Sequence, residues 1–215
     1  MSRVFLLSPA NSGGVRARMV MSPRGRFPLA ERLRGPAGAP IGEVFSFMSG
    51  LYFRGKLAYA RRFAALPDDA DTDLLAGGVL VITPGAGLRS AETPVTIEAL
   101  QLFGRIGIDV DNPAYRQPLE ASARTVARAL GPECDVVLLG SIASPKYVDV
   151  LVEIFGDRLL FPASFVGRGD MSRGGLLLRQ VTAGEELEYV PVRGAVRTGQ
   201  RPPKLEPRGG RRAAR

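Results

Sequence analysis

The 215-residue sequence predicts an α/β fold: a single domain with one mixed, mostly buried sheet flanked by helices, followed by a basic, disordered C-terminal tail. Three observations predict it. Short apolar runs at residues 3–8, 78–83 and 134–140 are bounded by Gly, Pro and Ser and read as buried strands. Stretches with apolar residues at helical spacing alternate with them, as helices covering both faces of a sheet require. From residue 193 onward the chain loses hydrophobic periodicity and fills with Arg, Pro and Gly. The expected division is a domain over 1–192 and a tail over 193–215.

The elements follow in chain order. RVFLLS at 3–8 is a first strand halted by Ser8-Pro9. Residues 10–40, rich in Gly, Pro, Ser and Arg, read as a long basic loop with at most one short helix, near 28–34. Over 43–65, Val44, Phe47, Met48, Leu51, Leu57 and Phe63 predict one broken helix or two short ones, weakened at Ser49-Gly50 and Gly55. An acidic turn occupies 67–73, and GVLVIT at 78–83 is a second strand ended by Pro84-Gly85-Ala86-Gly87. Thr93-Pro94 has the form of a helix start, for a helix running to Phe103. Residues 118–130 carry Leu119, Ala123, Val126, Ala127 and Leu130 on one face of a helix. A central strand over 134–140, a helix over 144–155 and strands at 158–161, 176–181 and 188–192 complete the domain.

Composition narrows the chemistry. There is no histidine, which removes Ser-His-Asp and Cys-His nucleophilic sites and His-ligated zinc or haem. A single cysteine, Cys134, forms no intrachain disulfide and points to a reducing, cytoplasmic setting, where it serves as a packing residue. No apolar run approaches membrane-spanning length, so no membrane association is expected, and nothing calls for a metal or a cofactor. The formal charge of +8 is segregated: residues 1–35 carry seven Arg against one Glu, the body from 36 to 192 is mildly acidic, and the last 23 residues carry eight basic groups against one Glu. Such ends attract polyanions.

Two segments carry the strongest signal for a site. In VVLLGSIASPKY (136–147) a buried strand runs into a small-residue turn and a helix opened by Ser144-Pro145, which presents free backbone N–H groups and the positive helix end at the carboxyl edge of the sheet. Lys146 adds a charge there, beside Tyr147. In GRGDMSRGG (167–175), Arg168 and Arg173 are set among glycines, which suits guanidinium forks on phosphate or carboxylate oxygens. Helix capping and solvated charge are the plain alternatives. Ser8 and Asn11 follow the first strand and face the same edge; Gly87 belongs to a tight loop after the second strand. Tyr52, Arg54 and Lys56 combine aromatic and basic groups suited to a base and its phosphate. Without histidine, Glu92 and Glu98 are the expected general bases.

Several of these segments, in order, resemble the YaaA-like peroxide-stress family over residues 4–181. Ser8-Pro9-Ala10 is similar to its SPA-K opening, Tyr52-Phe53-Arg54-Gly55 to its VYRGL segment and Gly87-Leu88-Arg89 to the end of its YGLLRP loop. Ile142-Ala143-Ser144-Pro145-Lys146-Tyr147 is similar to its NLAS-x-EY motif, and Arg168-Gly169-Asp170-Met171-Ser172-Arg173 to its RG-x-M-[SA]-R motif. Asn11 stands where the family has lysine and Lys146 where it has glutamate, the pattern of a divergent member. The resemblance implies an α/β domain with a positively charged cleft, a cytoplasmic location, a link to oxidative stress, and DNA binding.

Two functions are therefore expected of one cleft. In the first, the cleft and the basic ends bind nucleic acid with little sequence preference, because phosphate contacts carry little base information. In the second, a metal-independent enzyme holds a nucleotide, nucleoside or nucleobase between the 144 helix start and the Arg168/Arg173 segment, with Tyr52 as a stacking platform. Both predict that the glycine-lined turns meet at one rim.

Overall fold

The computed structural model describes residues 2–68, 70–143, 145–203 and 205. In chain order the elements are β1 (Arg3–Leu7), α1 (Val15–Met21), α2 (Pro28–Arg34), β2 (Ala39–Pro40), α3 (Ile41–Ser49), α4 (Leu51–Phe63), β3 (Val79–Thr83), β4 (Gly87–Ser90), β5 (Pro94–Val95) and α5 (Ile97–Arg105). They continue as α6 (Pro113–Leu130), β6 (Asp135–Leu139), α7 (Pro145–Phe155), β7 (Leu159–Pro162), α8 (Asp170–Ala183) and β8 (Tyr189–Pro191). A six-stranded sheet runs β4-β3-β1-β6-β7-β8, and β2 pairs with β5 in a separate ladder. The four inner strands are parallel, while β4 and β8 pair antiparallel at the two edges. Successive residues Val4, Phe5, Leu6 and Leu7 are all fully buried, as are Val136–Leu139, so both faces of the sheet are covered. This is the expected α/β domain with a mixed, mostly buried sheet. Among the described residues no helix is long and apolar enough to cross a membrane.

Several expected elements are relocated. The 10–40 segment is not one long loop: besides the anticipated helix at Pro28–Arg34 it contains α1, which buries Ala17 and Val20 one turn apart. Thr93-Pro94 does not open a helix. Pro94 pairs with Pro40 in the small ladder, and the Thr93 carbonyl accepts the Ile41 N–H at 2.9 Å. The cap belongs to Thr96 one turn later, whose hydroxyl accepts from the Ala99 N–H. Helix α6 starts five residues before the expected Pro118, at Pro113, because the Asn112 side chain caps the Ala114 N–H at 3.1 Å. The predicted strand at 176–181 lies inside α8, where Arg173, Gly174 and Leu177 form the buried stripe. β4 was not anticipated; it turns back from β3 through Gly85 and Gly87, both at positive φ.

The break in 43–65 comes at Gly50, whose φ of 64° and ψ of −130° suit glycine alone, and not at Gly55, which lies inside α4. Gly55 serves a different purpose. A Cβ there would lie 2.7 Å from the Gly174 carbonyl oxygen, and one at Gly174 would lie 2.7 Å from the Leu51 carbonyl oxygen. The two glycines let α4 and α8 cross at backbone contact. The described part of the tail carries no helix or strand and runs against the body: Arg197 pairs with Asp149 at 3.1 Å, and the Gln200 carbonyl abuts Gly167.

Candidate functional site

The sheet order fixes where a crevice forms. From β1 the chain moves to β3 on one side, whereas from β6 it moves to β7 on the other, so the connections above β1 and β6 diverge. Open α/β sheets bind ligands at such a switch point, outside the carboxyl ends of the strands. Here that position holds a cleft of about 530 Å³. Ser8, Pro9, Ala10 and Asn11 after β1, Ser141 after β6, Lys146 and Tyr147 in the first turn of α7, Ser49 and Tyr52 at the α3–α4 break, Ile108, and Asp170 opening α8 line it.

Beneath Ser8 lies Lys56, with 1% of its surface exposed. It projects from α4, and its Nζ donates to the Ser8 carbonyl at 2.6 Å and to Ser8 Oγ at 2.8 Å. The faces of Tyr52 and Phe53 flank the same nitrogen at 4.6 and 4.7 Å. Among the described residues no carboxylate lies within ion-pair distance of it. Burial therefore pulls its pKa down to about 7 against the upward pull of Asp170, and Arg173 adds a smaller push in the same direction as burial. Arg173 is itself nearly buried; its Nε and Nη2 donate to the Phe165 carbonyl and its Nη1 lies 3.6 Å from Asp170.

Two phenols complete the floor. The Tyr147 hydroxyl donates to the Ser141 carbonyl at 3.0 Å, and burial raises its pKa despite hydrogen bonding with Ser8 and Ser141. The Tyr52 hydroxyl is buried without a hydrogen-bond partner of ordinary geometry, although the Arg173 guanidinium is near, and burial likewise raises its pKa. The glycine after β6 admits this crowding: a Cβ at Gly140 would lie 2.8 Å from the Tyr147 hydroxyl and 3.3 Å from Ser8 Oγ.

The structure brings together Ser8, Asn11, Tyr52, Lys146 and Tyr147 in the lining, with Lys56 and Arg173 behind it. Ser144 lies outside the described residues. The other expected residues are elsewhere. Arg168 donates to the Ser164 and Pro203 carbonyls and lines a separate cavity of about 370 Å³ with Arg179 and Arg201. Arg54 lines a third cavity with Arg16 and Phe47. Gly87 packs on α6, where a Cβ would meet the Pro118 carbonyl at 2.2 Å. Glu92 is ion-paired with Arg61 on the surface, and Glu98 is fully exposed, its carboxyl held below the usual range by the Thr96 hydroxyl, so neither expected general base lines the cleft. Tyr52 is only 5% exposed, with Lys56 over its ring, and offers no open face for stacking. The segment at 167–175 is no glycine loop: Arg173 is held by the first turns of α8.

The formal charges in the lining are Lys146 and Asp170, of opposite sign, so the cleft is mixed and not uniformly positive. Ser49 and Asp170 went unrecognised as lining residues. A serine next to a helix-breaking glycine and an aspartate opening a helix both resemble ordinary capping, and no local signal sets them apart. No family model, curated protein or solved structure matches the chain.

Proposed function

We propose that the cleft above β1 and β6 receives a small ligand with an anionic group, of the nucleotide class, within a cytoplasmic protein. The observation that carries this reading is the volume of about 530 Å³ at the switch point of the sheet. It falls in the range of small-molecule sites and is too confined for a duplex. Lys146 is the cation available to the ligand's anionic end, and the hydroxyls of Ser8, Ser49 and Ser141 offer hydrogen bonds around its body. A thermal-shift panel of nucleotides and nucleosides tests it. The expected result is a rise in Tm for one ligand class that is lost in Lys146→Glu, and no shift from any member would defeat the reading.

A second reading, DNA association of the kind the YaaA-like resemblance implies, has support from a different place. Arg168, Arg179 and Arg201 converge on the cavity where the tail meets α8. Arg197→Glu with Arg201→Glu in the full chain should then weaken DNA binding and flatten its dependence on salt. Unchanged affinity would count against it.

A further inference from the structure

We propose that Ser8 and Lys56 form a nucleophile–base dyad in the cleft, for acyl transfer from small carboxylic esters, thioesters or amides to water. This rests on the reading that a small molecule enters the cleft, and adds what happens to it there.

Ser8 lines the cleft, and its Oγ accepts a hydrogen bond from Lys56 Nζ at 2.8 Å and donates one to the Leu139 carbonyl at 3.3 Å. The nitrogen is within the reach required of a base for its nucleophile once the hydroxyl turns from that carbonyl to the neutral amine. Lys56 does not itself line the cleft, so it touches an incoming molecule through Ser8; a Schiff base on Nζ would need access that the fold withholds. A purely structural account, in which Lys56 only caps the last carbonyl of β1, leaves the choice of residue unexplained. A buried ammonium without a carboxylate is costly, and a neutral donor would cap the same carbonyl without that cost. Burial that holds the amine close to neutrality at physiological pH makes it a proton acceptor instead. Gly140 lets the Tyr147 hydroxyl and Ser8 Oγ crowd together, which makes Tyr147 a positioning residue for the serine.

Acyl transfer suits the lining better than phosphoryl transfer. A transferring phosphoryl group needs several cations around its oxygens, and the lining holds one, Lys146, together with the carboxylate of Asp170. The step balances without a further reagent. Ser8 Oγ forms a bond to the carbonyl carbon while its proton passes to Lys56; the bond to the leaving group breaks, and that group takes its proton from a water in the cleft. The hydroxide so formed attacks the Ser8 ester, and the Ser8 oxygen leaves with the proton held by Lys56, which releases the carboxylic acid and restores Ser8.

The test treats the full chain with a fluorophosphonate probe and maps the adduct by mass spectrometry. Phosphonylation forms the Oγ–P bond and expels fluoride, with the serine proton taken by Lys56. The expected result is a single adduct on Ser8, absent in Ser8→Ala and formed about 100-fold more slowly in Lys56→Met. The wild-type labelling rate should climb between pH 6 and 8 as Lys56 loses its proton. The charged and titratable groups facing Lys56 are Tyr52 on its own helix, Asp170 and Arg173 from α8 and, across Ser8, Tyr147 from α7; both tyrosines are held protonated by burial in that window. No adduct on the folded wild type, a rate indifferent to pH, or wild-type speed in Lys56→Met would overturn the dyad. Should either variant fail to fold, the wild-type pH profile decides alone. An adduct on Ser8 with no thermal shift from any nucleotide supports the dyad and overturns the nucleotide reading; a shift without an adduct overturns the dyad alone.

Discussion

The two ends of β1 carry contrasting polar clusters. At its start, Arg3 pairs with Glu186 and lies over the Tyr189 ring, the Tyr189 and Tyr59 hydroxyls share a 2.6 Å hydrogen bond, and Tyr59 accepts the Leu187 N–H at 2.7 Å. Arg3 Nε is the one buried side-chain polar atom of this cluster without a hydrogen-bond partner among the described residues. At its far end, no carboxylate among the described residues lies within ion-pair distance of Lys56, and the buried Tyr52 hydroxyl has no hydrogen-bond partner of ordinary geometry. Each cluster holds one buried orphan, but Arg3 is ion-paired and Lys56 is not; a paired cation reads as a fastener and a buried cation without an ion-pair partner as a place where a proton is moved. The same strand is thus tied at one end and left reactive at the other.

The largest expected effect tests what holds the reactive end in shape. Gly55→Val puts a branched side chain against the backbone of Gly174 and drives apart the helices that carry Lys56 and Arg173. Overpacking against a rigid neighbour costs about 3 kcal/mol. Urea denaturation should show a loss of that order, and a stable variant would mean that α4 and α8 do not meet as tightly as described. The direct comparison of the two ends comes next. Tyr59→Phe strands the Leu187 N–H and the Tyr189 hydroxyl and should cost about 2 kcal/mol, whereas Tyr52→Phe breaks no hydrogen bond and should cost under about 0.5 kcal/mol. Equal losses would erase the contrast.

Titration sharpens it further. Lys56 has a folded-state pKa of about 7 and the ordinary 10.5 when unfolded, so between those values the unfolded chain binds one more proton. Stability should therefore increase with pH above 7, by up to about 1 kcal/mol per pH unit, and level off below it. Tyr52, Tyr59 and Tyr189 have raised values and act in the opposite direction, but only above pH 10, where their unfolded forms ionise. Denaturation series at pH 7 and 9 on the wild type and Lys56→Met check this: the variant should lose the upward slope. An unchanged slope would place its origin elsewhere.

How far the sequence reveals this follows from the range of each signal. The strands at 3–8, 78–83 and 134–140 were evident because a buried parallel strand is a dense apolar run flanked by breakers, a purely local pattern. The same logic misplaced 176–181, since Leu176–Leu178 is apolar enough for a strand until the length of α8 is known. Thr93-Pro94 has correct cap chemistry but is claimed by a long-range ladder with Pro40. Ser8, Lys56 and Tyr147 each stand out by their own local pattern, yet 48 residues separate the members of the dyad, and nothing local shows that α4 crosses under the end of β1. That crossing depends on Gly55 and Gly174, which read individually as weak points in their segments.

The smallest expected effect concerns the base the sequence favoured. Glu92 pairs with Arg61, both side chains more than half exposed, so Glu92→Gln removes a solvent-screened ion pair. Such pairs contribute between about 0 and 1 kcal/mol, and here the change in Tm should be barely resolved. Labelling of Ser8 should proceed at the wild-type rate, because Glu92 touches neither the cleft nor any residue beneath it. A carboxylate near a site in sequence is a base only if it reaches the proton it must take. Slower labelling in Glu92→Gln would show that the reactive end of β1 extends to the β4–β5 turn, and the division of the strand into a fastened and a reactive end would have to be redrawn.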